Sequence, residues 1–152
     1  MNSRILITML CGGAIAIACT ARSHNESAAQ TLKSAPHERG QQLAASFNVV
    51  PDGKAMQFAL RVVNTSKKNL ELDFPNGQAY DFVVVDSLGR EVWRWGNGRM
   101  FTQAVQNKFV GSGESFEVSE HWQNPRRGKY TAIAMLTSTN YPVRERVDFT
   151  LR

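Results

Sequence analysis

The chain has 152 residues, 42% of them hydrophobic, with 18 basic and 13 acidic side chains for a formal charge of +5. That composition suits one packed domain with an appendage and excludes a collagenous or wholly disordered chain. The basic residues are scattered (Arg61, Lys67, Lys68, Arg90, Arg94, Arg99, Lys108, Arg126, Arg127, Lys129, Arg144, Arg146). Without a dense run there is no track for a nucleic-acid backbone, and nucleic acid is not an expected partner.

Residues 1–18 read as an export signal. Arg4 is the one charge, and Ile5 to Ala18 is uniformly apolar or small. That run is shorter than the roughly 20 apolar residues of a spanning helix. Ala16-Ile17-Ala18 before Cys19 suits two processing routes. One is lipoprotein maturation, with Cys19 lipidated as the first residue; the other is ordinary signal-peptidase cleavage. The cysteine itself favours the first. With the leader removed, Cys19 is the one thiol left, and thioether attachment to lipid gives it a role on an exported chain. A single acyl chain holds only marginally, at roughly 0.8 kcal/mol per buried methylene, so a stable anchor needs at least a second. Thr20 is not the aspartate associated with inner-membrane retention. The expected location is the cell envelope, at the outer membrane if the host has two.

Residues 19–42 follow as lipidated cysteine and tether. Thr20 to Gln30 has no apolar side chain larger than alanine, and Ser34 to Gln42 continues in that style. Such a segment buries too little apolar surface to offset its ordering entropy. His24 and His37 lie within it and read as solvated.

From residue 43 the pattern changes to period two. Ser46 to Val50 reads as a short strand, closed by the turn Pro51-Asp52-Gly53. Met56, Phe58, Leu60 and Val62 then alternate with Gln57, Ala59, Arg61 and Val63. Asn64-Thr65-Ser66-Lys67-Lys68-Asn69 reads as a turn, although its first three residues match a glycosylation acceptor. Leu70, Leu72 and Phe74 mark the next strand. Tyr80, Phe82 and Val84 mark another, which returns through Asp86-Ser87-Leu88-Gly89 into Glu91 to Trp95 as a hairpin. On that return strand Trp93 and Trp95 share one face and Val92 and Arg94 the other. Phe101 to Phe109 is less regular and reads as strand or short helical turn. Phe116, Val118 and Trp122 follow, then Lys129 to Ser138, the most apolar strand, and a last one with Val143, Val147, Phe149 and Leu151. About seven to nine short strands at roughly ten-residue spacing, with no convincing helix, give an all-β fold: an immunoglobulin-like antiparallel β-sandwich over residues 43–152. Gly128-Lys129-Tyr130 fits a tyrosine corner.

Asn76-Gly77-Gln78-Ala79-Tyr80-Asp81-Phe82, Glu91-Val92-Trp93-Arg94-Trp95 and Met100-Phe101-Thr102-Gln103 resemble the BsuPI domain, a family named for an intracellular proteinase inhibitor. Gly113-Glu114, Trp122 and Gly128-Lys129-Tyr130 fall in the family's order. The resemblance spans about residues 45–152. It implies an immunoglobulin-like sandwich and a role as an inhibitor of serine proteases. Two departures lie in loops: Gly96 stands where a serine commonly follows the second tryptophan, and Ser112 where a proline commonly precedes the later glycine.

The candidate site centres on the loop after Trp95. Trp93 and Trp95 have two readings, a central plug of the sandwich or an aromatic patch beside the loop. Arg94, Asn97, Arg99, Met100 and Phe101 are the candidate protein-binding residues. An exposed loop there would suit a protease cleft, the partner being a protease or another envelope protein. An arginine would enter a trypsin-like pocket, and Met100 or Phe101 a chymotrypsin- or subtilisin-like one. Gln123 to Gly128 is a second candidate loop. No catalytic residue, metal ligand or cofactor is expected: His121 has no partner at useful spacing, and there is neither a phosphate loop nor a nucleophile motif. The sequence therefore reads as a non-catalytic, membrane-anchored binding module, a protease inhibitor on the resemblance. The alternative is a structural or assembly accessory lipoprotein of the envelope.

Overall fold

The computed structural model of the chain describes residues 32–33 and 42–152. The expected leader, Cys19 and most of the tether lie outside the described residues. Ten strands run in chain order: β1 (Leu32–Lys33), β2 (Leu43–Asp52), β3 (Ala55–Asn64), β4 (Leu70–Phe74), β5 (Tyr80–Asp86), β6 (Glu91–Arg94), β7 (Gln106–Val110), β8 (Ser115–Gln123), β9 (Gly128–Leu136) and β10 (Val143–Leu151). There is no helix among the described residues. One sheet has the order β1-β2-β3-β8, a second β10-β9-β5-β6, and β4 pairs with β7; every pairing is antiparallel. The fold is the all-β antiparallel sandwich that the alternating sequence dictates.

Alternation places the core. Phe47 and Val49 of β2, with Phe58, Leu60 and Val62 of β3, face Phe82 and Val84 of β5, Ala132, Ala134 and Leu136 of β9, and Phe149 of β10. The rings of Phe47, Phe58 and Phe82 meet at centroid distances of 5.8–6.3 Å. Such pairs contribute roughly 0.5–1.5 kcal/mol each beyond the area they bury.

Asn64 is the polar node of the frame. The β3–β8 ladder ends at Val63↔Ser115, and the β4–β7 ladder resumes at Leu70↔Val110. Between them Asn64 is fully buried. Its amide donates to the Lys68 carbonyl (2.7 Å) and the Val110 carbonyl (2.9 Å), and its oxygen accepts from the N–H (2.9 Å) and hydroxyl (2.7 Å) of Ser66. Its own backbone bonds Glu114 and Gly113. The glycosylation-like triplet is thus a turn with an inaccessible asparagine.

Several elements differ from their sequence expectation. Strand β2 is longer than Ser46 to Val50, because Leu43 to Ala45 stay paired with Val62 to Asn64. Leu32–Lys33, inside the stretch expected to be tether, pairs with Asn48 and Val49. Within Phe101 to Phe109 the strand begins only at Gln106, and it is Val110 that turns inward while Phe109 turns out. Two carboxylates are buried: Asp81 on β5, out of phase with its apolar neighbours Tyr80 and Phe82, and Glu145 on β10, in phase with the apolar row of Val147 and Phe149. Oε1 of Glu145 has no hydrogen-bond partner.

Candidate protein-binding site

The β5–β6 hairpin delivers the site. Trp93 and Trp95 share a face, as alternation requires, and pack on different neighbours within one core cluster. Trp93 stacks on Phe58 (5.3 Å) and Trp122 (6.2 Å). Trp122 meets Tyr130 edge-on at 5.2 Å, and the Tyr130 hydroxyl donates to the Arg126 carbonyl at 2.9 Å, which is the tyrosine corner read from Gly128-Lys129-Tyr130. Trp95 stacks on Tyr80 (4.3 Å) and tilts against Phe101 (5.6 Å). Both indoles therefore pack, and Trp95 is only 8% exposed, with its Nε1–H unpartnered. The Tyr80 hydroxyl donates to Glu120 at 2.6 Å. Burial, then that carboxylate, push the phenol well above its ordinary range.

The loop that follows is folded back on the hairpin. Nη1 of Arg94 meets Asp81 at 2.8 Å, and its Nε and Nη2 bond Oε2 of Glu91 at 3.0 and 2.8 Å. Glu91, then Asp81, raise the guanidinium's pKa against a partly opposing desolvation, while Arg94 holds the Glu91 carboxyl below its usual value. The Gly96 N–H donates to Asp81 Oδ1 at 3.1 Å. A Cβ on Gly96 would lie 2.8 Å from Nε2 of Gln78 and 3.3 Å from Oδ1 of Asp81, so a serine there would displace Gln78. Gly98 takes φ +74°, a left-handed conformation that favours glycine, and closes the turn. Asn97 Nδ2 reaches Glu91 Oε1 at 3.4 Å. Arg99 donates Nε–H to the Trp95 carbonyl at 3.0 Å and lays its guanidinium over that indole at 4.5 Å.

Of the five residues expected to bind protein, then, Arg94, Asn97 and Arg99 are engaged within the domain and Phe101 is half-buried on Trp95. Met100 stands 98% exposed. Beyond it, residues 102–109 are all exposed. Two side chains in this stretch were not anticipated: Val105 and Phe109, 69% and 70% exposed. Their one sequence signal was being large and apolar among mostly polar neighbours from Thr102 to Phe109. In the second candidate loop Arg126 and Arg127 are exposed, with Arg126 lending its carbonyl to the tyrosine corner. His121 pairs with Asp52 at 3.0 Å on the surface. Among the described residues no three His, Cys, Asp or Glu side chains gather as a metal site.

Among the described residues the fold is an all-β antiparallel sandwich with a tyrosine corner. Residues 43–141 match the family BsuPI, described as intracellular proteinase inhibitor, and the chain belongs to that family. No curated protein matches it. A solved structure similar to part of the fold is a β-glucosidase, EmGH1 from Erythrobacter marinus, at 17% identity and a TM-score of 0.38. The match covers 82% of this chain but 16% of that one, and bears on neither activity nor partner.

Proposed function

We propose that this chain is a non-catalytic, proteinase-inhibitor-like binding module held at the cell envelope by lipid on Cys19. Membership of the BsuPI family over residues 43–141 is the observation that carries the inhibitor reading. The exposed segment beyond Trp95 is the candidate surface for it, since Phe101 at its base packs on Trp95 while Met100, Val105 and Phe109 stand exposed. The anchor reading rests on the apolar run before Cys19 and on the absence of any other cysteine from Cys19 onward. The module would thus act on a partner reachable from the membrane surface.

Titrating the purified full-length chain against subtilisin-, chymotrypsin- and trypsin-type serine proteinases tests the first part. Saturable inhibition at micromolar concentration or below is expected, and undiminished activity of all three would remove the inhibitor reading. Growth with radioactive palmitate tests the second. The wild-type chain should be labelled and Cys19→Ala should not; equal labelling, or none in either, defeats the anchor.

A further inference from the structure

Five large apolar side chains stand exposed among the described residues, and three of them, Met100, Val105 and Phe109, fall on one segment. That segment is pinned at both ends. At its start Phe101 packs on Trp95, and the Thr102 carbonyl accepts the Gly77 N–H at 2.8 Å. At its end Val110 is buried, its carbonyl taken by Asn64. Between these points the polar side chains largely satisfy themselves: Gln103 bonds the Phe101 carbonyl and Gln106 the Ala104 carbonyl. Strand β7 pairs with β4 on one edge, and no other described strand takes the second. An exposed edge with apolar projections invites strand pairing, and chains usually blunt it with charge. The one charge on β7 is Lys108, and its ammonium lies over the Phe116 ring at 4.6 Å, against the domain's own packing.

We infer that residues 100–109 form the strap this protein lays into its proteinase, β7 pairing by its free edge and Val105 and Phe109 entering apolar pockets. The inference rests on the inhibitor reading above and names the contact within it. Proteinase clefts take chain segments in extended form, and an open strand edge offers them backbone donors and acceptors while alternate side chains fill pockets. Pinning at both ends lowers the ordering cost of binding. Asn107 and Phe109 point to one side of β7 and Lys108 to the other; on the Phe109 face the charges are Glu71 and Asp73 of β4, both held by the Asn107 amide at 2.6 and 3.3 Å. The remaining exposed apolar residues, Leu88 and Val92, belong to the β5–β6 hairpin and provide the control.

The test compares wild type, Val105→Ser/Phe109→Ser and Leu88→Ser/Val92→Ser, each as full-length chain, against the same three proteinases, with thermal unfolding midpoints measured alongside. Should the strap double variant unfold, Val105→Ser and Phe109→Ser singly carry the test. The strap variant should keep its midpoint and weaken inhibition by about thirtyfold or more, while the hairpin variant stays within about threefold of wild type. Undiminished inhibition by the strap variant would overturn the inference and leave the inhibitor reading standing. Failure of the wild type to inhibit any of the three would remove both.

Discussion

Arg94 meets Asp81 across the β5–β6 hairpin at 2.8 Å, the arginine side chain 35% exposed and the aspartate 4%. The pair is lopsided: the acid is buried and the base is its route to solvent. Removing the arginine leaves the carboxylate with the Gly96 N–H as its remaining partner. Arg94→Ala is therefore expected to cost about 2–3 kcal/mol, below the 3–5 of a fully buried pair because the guanidinium is partly solvated. Asp81→Asn together with Arg94→Ala should cost less than the sum of the two single changes. Urea unfolding of the four proteins measures both. A loss under about 0.5 kcal/mol in Arg94→Ala would make this an ordinary surface pair.

The same arginine makes stability depend on pH. Its hydrogen bonds hold the Glu91 carboxyl below the ordinary 4.5. A carboxylate with a lower pKa in the folded than in the unfolded state stabilises the fold above the unfolded value and loses that contribution as pH falls through the folded value. The window thus opens near pH 4.5 and extends downward. Glu91 lies at the surface, so its share is under about 1 kcal/mol. Comparing urea midpoints of wild type and Glu91→Gln through this range should show the difference shrinking as pH falls; a constant difference would contradict it.

Asn64 is expected to be among the most sensitive positions in the domain. All four hydrogen-bonding capacities of its side chain are used, and Asn64→Ala would strip partners from the Val110 carbonyl and the Ser66 turn at once. A loss of about 3 kcal/mol or more in denaturant unfolding is predicted. Exposed-turn behaviour, under about 0.5 kcal/mol, would mean that the node does not hold the two ladders together.

Glu145 points the other way. A buried carboxylate oxygen without a partner is unfavourable, and the strand row around it is apolar. Glu145→Leu should therefore raise stability, by about 1–3 kcal/mol. A lower melting temperature for this variant would show that the carboxylate is satisfied in solution.

Alternation made most of this fold legible. Met56 to Val62, Leu70 to Phe74 and Tyr80 to Val84 reveal their inward faces because each is apolar at every second position. The turn chemistry of Asn64 to Asn69 and of Asp86 to Gly89 reads directly, and Gly128 before Tyr130 marks the corner. Legibility fails where polar atoms do the work of apolar ones. Strand β7 has no apolar period, since its inward side includes a lysine resting on Phe116. Asp81 and Glu145 are buried through backbone register, which no residue type announces. At the site, charge misdirected attention. Arg94 and Arg99 stand out in the sequence as contact residues, but an arginine beside a carboxylate or an indole finds its partner within the domain. Val105 and Phe109 are conspicuous only once Val110 is seen to take the inward position.

Hydrogen exchange read by mass spectrometry, on the full-length chain alone and saturated with a proteinase it inhibits, tests the central claim most directly. The prediction is slowed exchange confined to amides of residues 102–109 and their immediate flanks, with the 86–92 hairpin unchanged. Protection of the 86–92 hairpin or of the loop 123–128, with residues 102–109 exchanging as in the free chain, would contradict it.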